Sequence, residues 1–227
     1  MINKETRHEA GGGVYFGSVA ASNLGMDVAA VITKCAASDI ALFADTFQSS
    51  GMSRESLHFL PSHSSTSCRN EYPTSNPDDR IQRMLSLAAP FSLEDLSLVP
   101  KDGVLIVNPL WYGEFPPELL SIARRSCTHL VGDAQGFLRH VADGQMSLKG
   151  SNLSTLSIKI QTEYSSLDWE KKREYLGFFD LFKVDTKEAK VLTGTDDLRE
   201  AVKLLHSFGR TEKRMCLTFV PECHSHQ

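Results

Sequence analysis

Short apolar runs rich in β-branched residues recur along the chain at 28–33, 103–107, 128–131, 179–184 and 215–220. Each has strand length and lacks the strict polar alternation of a half-solvated sheet, which predicts strands buried on both faces. Between them the period changes. Ile40, Phe43, Ala44 and Phe47 recur at helical spacing, Ser38 stands where an N-cap belongs, and Gly51 stands where a left-handed residue ends a helix. Leu198, Ala201, Val202 and Leu205 repeat the pattern, with Thr195, Asp196 and Asp197 at the positive end of the helix dipole and Gly209 after its last turn. Strands that alternate with helices define an α/β protein with a mainly parallel sheet covered by helices.

Two stretches break this rhythm. Residues from about 56 to 72 place Leu57, Phe59 and Leu60 beside a Ser/Thr-rich centre, and the strand candidates 145–149 and 156–161 flank a polar turn, Gly150-Ser151-Asn152. They predict a small lid or edge sheet attached to the main one. Residues 221–227 carry no periodic pattern and are expected to be an irregular tail. The length of 227 residues suits a single domain.

Composition narrows the function. A hydrophobic share of 41% against 23% charged residues is enough to bury a core. With 24 Lys and Arg against 28 Asp and Glu, the net charge of −4 offers no basic surplus for a phosphate backbone, which argues against nucleic acid as the principal partner. The five cysteines are scattered without a Cys-x-x-Cys pair, so a reducing compartment is expected rather than a disulfide framework or zinc ribbon. Cys223, His224 and His226 on a terminus read as an accidental group of metal-ligand types. The first residues lack the apolar core of a secretory signal, and no run approaches the length of a membrane span, so the expected setting is cytoplasmic with no membrane partner.

Four motifs carry possible chemistry. Gly11-Gly12-Gly13 precedes a helix pattern of small residues; it is either a flexible entry turn or a place where a ligand meets main-chain N–H groups at the helix's positive end. It matches neither the dinucleotide fingerprint nor the phosphate loop, and no ATP site follows from it. Asn76-Pro77-Asp78-Asp79-Arg80 reads as a solvated turn. Asp133 in Asp133-Ala134-Gln135-Gly136-Phe137-Leu138-Arg139 falls just past a strand, at the carboxyl edge where open α/β sheets bind ligands. Asp185 and Glu188 stand three apart after another strand, where the pair can cap a helix or hold a hydrated Mg²⁺. A serine-hydrolase elbow is absent from the sequence.

Taken together, these segments resemble the ribokinase-like (PfkB) carbohydrate kinases from about Ala10 to Thr218. The stretch from Gly11 through Asn23-Leu24-Gly25-Met26-Asp27-Val28 resembles the family's first signature, and Gly12 and Gly13 match its sugar-contacting glycines. Asp185-Thr186-Lys187-Glu188 is similar to the family's Asn-x-x-Glu region, in which the glutamate organises magnesium and phosphate; Glu188 matches, whereas Asp185 replaces the usual asparagine and adds negative charge. The run from Asp133 to Arg139 looks like the Asp-x-Gln-x-x-x-Arg run of the myo-inositol-kinase-like branch. The resemblance implies a ribokinase-like three-layer sandwich, ATP and Mg²⁺ as cofactors, a sugar or polyol substrate held by Gly12, Gly13, Asp133 and Arg139, and Glu188 at the metal.

The departures shape the expectation as much. The family begins with a strand bearing a substrate-binding aspartate, and only ten largely polar residues precede Gly11. Its second signature, Asp-Thr-x-Gly-Ala-Gly-Asp, has no counterpart before Gln227. That segment supplies N–H donors for the migrating charge, worth about 10² to 10³ in rate, and the base for the hydroxyl proton, worth about 10² to 10⁴. The expected fold is therefore incomplete, with exposed apolar surface and a sheet edge open to self-association. The expected activity is an impaired carbohydrate kinase, and the alternative is a non-catalytic remnant that binds a ligand or partner.

Overall fold

The computed structural model describes residues 8–71, 81–140, 158–159 and 169–208. The expected strand at 215–220, the turns at 76–80 and 150–152, the strand candidate 145–149, Gly209 and the tail lie outside these residues. The chain opens with α1 (Gly13–Asn23), then β1 (Val31–Cys35), α2 (Ile40–Ser49), β2 (Leu57–Pro61), β3 (Ser67–Glu71) and β4 (Ile81–Ser86). There follow β5 (Val104–Val107), α3 (Leu120–Arg125), β6 (His129–Asp133), α4 (Gln135–Leu138), β7 (Ile158–Lys159), α5 (Lys172–Tyr175), β8 (Leu181–Lys183), α6 (Thr186–Thr193) and α7 (Leu198–Phe208).

Two of the three sheets, one of two strands and one of three, are parallel. In one, β1 pairs with β2, Val31 opposite Leu57. In the other, β6 lies between β5 and β8, with Leu105 opposite Leu130 and Gly132 opposite Phe182. The third sheet, of three strands, is antiparallel and has the order β3-β4-β7. The α/β class with helices on a mainly parallel sheet is as expected.

The main core packs between β6, β8 and the helices: Leu120, Leu130, Leu176, Phe182, Leu192 and Leu205 are fully buried. Trp169 is stacked between Phe137, 4.7 Å away, and Tyr175, 5.6 Å away, and this column closes the core beside β8. A second cluster around Val31, Phe47 and Met52 lies under β1 and α2. Not every apolar face is covered. Val104 and Ile106, on one face of β5, are each 52% exposed, and α1 buries none of its residues fully.

Local deviations from the sequence expectation have clear causes. The first strand starts at Val31 rather than 28 because Leu57, its first ladder partner, lies opposite it. Ser38 does not cap α2: a 3₁₀ turn over Ala37–Asp39 precedes the helix, and the Ser38 hydroxyl donates to the Asp39 carboxylate instead. Gly51 does take the left-handed conformation, with φ +84°. The Ser/Thr-rich turn after β2 proves to be a junction. Ser62 accepts from the Ala89 N–H, Ser64 donates to the Leu87 carbonyl, Ser65 accepts from the Ala36 N–H, and Thr66 accepts from the Ala88 N–H. These hydroxyls take up main-chain groups that no ladder satisfies. Lys34 adds a tie from β1, its ammonium 2.8 Å from the Pro90 carbonyl and 2.6 Å from the Asp95 carboxylate.

Asp180 extends the β6–β8 pairing with a side chain. Its N–H donates to the Leu130 carbonyl while its carboxylate accepts from the Leu130 N–H, both at 2.8 Å. Asp180→Ala strands a donor in the core and should cost about 1–2 kcal/mol, whereas Asp180→Asn keeps an acceptor and should cost less. Urea titration of the two variants reads the difference, and equal midpoints would contradict this role.

Candidate functional site

The site residues collect where the chain leaves the carboxyl ends of β5, β6 and β8. Gly12 is the residue before α1 and takes φ +92°, a conformation that side chains with a Cβ rarely adopt. The helix has no side-chain cap there, so its first N–H groups point out at the positive end of the dipole. At Gly13 a Cβ would overlap the Asn108 side chain, so the close approach that glycine permits here is made by Asn108 of the loop after β5. Leu110 of the same loop lies against Gly12.

That loop, residues 108–114, touches the next strand end as well. The Pro109 carbonyl packs on Gly136, the Tyr112 N–H donates to the Arg139 carbonyl at 2.7 Å, and the Tyr112 ring stacks on His140 with centroids 4.1 Å apart. The Gly12-Gly13 turn and the 133–140 segment are therefore connected through residues 108–112. Glu114 closes the loop from within. Its carboxylate accepts the Leu110 N–H at 2.5 Å, and burial pushes its acid up to about 7 against the opposing effect of the Leu110 and Trp111 N–H groups.

Asp133 ends β6 half-buried. One carboxylate oxygen accepts from the Gln135 N–H at 2.9 Å, and the other pairs with Lys183 of β8, also at 2.9 Å. Burial works against the Lys183 ammonium, but the Asp133 hydrogen bond and the nearby carboxylates outweigh it and hold its pKa above the ordinary lysine value. Arg139 is half-buried at the end of the same segment.

Asp185 and Glu188 form a reciprocal capping box on α6. Asp185 accepts from the Glu188 N–H at 2.7 Å, and Glu188 accepts from the Asp185 N–H at 2.8 Å. The structural half of the sequence expectation is thus met. Glu188 is nevertheless unusual for a cap, being only 1% exposed. Burial, then the charges of Asp185 and Asp133, push its acid up to about 7, although the Asp185 N–H and Lys183 act the other way. Mutually repelling carboxylates are a donor set that a cation relieves, and Mg²⁺ needs only one or two of them beside water and phosphate oxygens. The residues fit a hydrated ion of that kind; a cage of three or more ligands is not present among the described residues.

Sequence reasoning named Gly12, Gly13, Asp133, Arg139 and Glu188 but passed over Asn108, Glu114 and the pairing role of Lys183. The signal for the first two was available. Asn108-Pro109-Leu110-Trp111-Tyr112-Gly113-Glu114 follows a strand directly, as Asp133 does, and strand ends are where such sheets place ligands.

A parallel sheet with its polar side chains gathered at one edge and a small antiparallel sheet beside it defines the ribokinase-like α/β architecture. The structure superposes with a TM-score of 0.77 on the sulfate complex of a pyrophosphate-dependent kinase in the ribokinase family, at 37% identity over 96% of this chain and 68% of that one. A complex of a pyrophosphate-dependent ribokinase-family kinase with a pyrophosphate analog and myo-inositol gives a TM-score of 0.75 and 35% identity, again over 96% and 68%. The nucleoside kinase of Burkholderia thailandensis bound to inosine shares the fold, with a TM-score of 0.57 and 18% identity over 97% of this chain and 61% of that one. No family model and no curated protein matches the chain. The chain belongs to the ribokinase family.

Proposed function

We propose that the chain holds a polyol of the inositol class and the terminal phosphate of a pyrophosphate-containing donor, as the acceptor side of a phosphotransferase. The observation that carries this reading is the gathering of Asp133, Lys183, Asp185 and Glu188 at the carboxyl ends of β6 and β8, beside the segment that joins them to the Gly12-Gly13 turn. Vicinal hydroxyls are recognised by charged acceptors and donors held rigidly in place, and the proposed contacts are Gly12, Gly13, Asp133 and Arg139. Asp133 is pre-oriented by Lys183 and the Gln135 N–H, so it presents a fixed acceptor at little further entropic cost. Glu188, with Asp185, is the proposed holder of Mg²⁺. When bound, the ion supplies neutralisation of the transferring phosphoryl charge.

The donor's shared chemistry is a diphosphate. Inorganic pyrophosphate is supported by the relatives at 37% and 35% identity, which are described as pyrophosphate-dependent, while ATP is what the wider family resemblance implies. The Gly-Ala-Gly-Asp segment is not among the 227 residues. Turnover by these residues alone should therefore fall at least about 10² to 10⁴ below that of a kinase with both a base and oxyanion donors. Binding is the more direct test. Calorimetry with myo-inositol, other inositols, ribose and inosine, each with Mg²⁺ and either pyrophosphate or ATP, should show an inositol-class polyol bound in preference to the nucleoside. A flat response to every polyol would overturn the reading, and steady ester formation would remove the remnant alternative.

A further inference from the structure

We infer that Glu114 is a positioning residue whose carboxyl group clamps the 108–114 loop closed, and that this loop sets the seat of Asn108 against the Gly12-Gly13 turn. The clamp is a property of the loop itself, whatever ligand the site takes.

The geometry is local and complete. The Glu114 carboxylate accepts the Leu110 N–H at 2.5 Å, and the Trp111 N–H lies near enough to favour its charged form. Its own N–H donates to the Trp111 carbonyl at 3.2 Å, and its carbonyl accepts the Phe91 N–H at 2.8 Å. One residue thus ties both limbs of the turn together and anchors the turn to the preceding segment. The contacts that leave this turn are the ones that shape the site: Asn108 on Gly13, Leu110 on Gly12, Pro109 on Gly136 and Tyr112 on Arg139 and His140. The Trp111 indole N–H is meanwhile buried without an acceptor, a cost that the closed loop must offset by its other bonds.

Closure is consequently linked to a proton. The causes acting on Glu114 are burial and the two main-chain N–H groups, with no contribution from a charged neighbour. The segment that the loop meets through Tyr112 carries Arg139 and His140, and the His140 imidazolium is itself disfavoured by burial. With burial dominant, the closed loop holds Glu114 protonated up to about pH 7, whereas an opened, hydrated Glu114 ionises in the ordinary carboxylate range. The closed form binds the extra proton, so closure is strongest at acid pH and is lost as pH rises through about 7.

The test uses the full chain and Trp111 as reporter, with Trp169→Phe removing the other indole. Its emission should move to longer wavelength between pH 6 and 8 with a midpoint near 7, and Glu114→Gln, which stays neutral and can still accept, should hold the acid-form emission across that range. The unsubstituted chain gives a second readout through amide hydrogen exchange. Protection at Leu110 and Trp111, corrected for the intrinsic pH dependence, should drop by up to about tenfold from pH 6 to pH 8, while the β6–β8 ladder amides keep theirs. Constant protection at Leu110 and Trp111 would overturn the inference, as would a transition that persists in Glu114→Gln and disappears in His140→Gln. Neither readout depends on substrate or turnover, so failure of the proposed function and failure of the clamp are separately visible.

Discussion

Glu188→Gln should raise the melting temperature at pH 8 and, in the same protein, abolish the extra stabilisation given by Mg²⁺ with pyrophosphate. The two effects have one origin. Glu188 is 1% exposed and its acid is pushed up to about 7, first by burial and then by the charges of Asp185 and Asp133. Its pKa in the folded state lies above the unfolded value near 4.5, so its contribution to stability is complete at acid pH and is lost as pH rises through about 7. A shift of this size corresponds to about 3 kcal/mol at pH 8, or roughly 5–10 °C for a chain of this length. Glutamine fills the same volume and can still accept the Asp185 N–H, so the capping box survives while the buried charge is removed. At pH 5 the two proteins should differ by less than about 1 kcal/mol, because the native glutamic acid is then neutral in the folded state. A charge retained at such cost is the mark of a group selected for something other than stability. Thermal scans at pH 5 and pH 8, with and without Mg²⁺ and pyrophosphate, separate the two effects. A lower melting temperature for Glu188→Gln at pH 8 would show that the carboxylate is needed for the cap alone.

What could be read from the sequence follows the range of the interactions. The β5, β6 and β8 runs and the α2 and α7 periodicities were legible because burial on one face or both is written into adjacent residues. Gly51 was legible for the same reason, since a left-handed residue is a local demand. Ser38 failed as a cap because its hydroxyl found Asp39 beside it, and the 3₁₀ turn displaced the start of α2. Nothing in residues 179–184 shows that Asp180 would bond Leu130 through both its backbone and its carboxylate, because the partner lies fifty positions away. The site divides likewise. Asp133, Asp185 and Glu188 were visible as strand-end carboxylates, and Gly12 and Gly13 as a glycine turn. The Lys183–Asp133 pair needs the β6–β8 register, and the reason for Gly13, an approaching Asn108, belongs to a different strand end. The raised acids of Glu114 and Glu188 depend on surrounding volume, which no spacing rule contains.

Gly136→Ala should lower the melting temperature even though alanine is the better helix former. Gly136 lies within α4, and by propensity alone the substitution would stabilise the helix by up to about 1 kcal/mol. A Cβ at this position, however, would overlap the Pro109 main-chain carbonyl, which no rotamer change can move. Overpacking of this kind costs about 1–3 kcal/mol where side chains yield, and a backbone obstacle places it at or above the upper end. The steric term wins, and a net loss of about 2–3 kcal/mol, or roughly 5–10 °C, is expected. Relief requires Pro109 to retreat from α4, and Pro109 sits between Asn108 and Leu110, the residues that meet Gly13 and Gly12. The substitution should therefore also weaken inositol binding, although it touches none of the proposed contacts. Gly17→Ala, at a helical position with open space around the added methyl, provides the comparison and should be neutral or slightly stabilising. If Gly136→Ala instead matched Gly17→Ala in melting temperature and kept full polyol affinity, the loop between β5 and α3 would not be the rigid link between the two halves of the site.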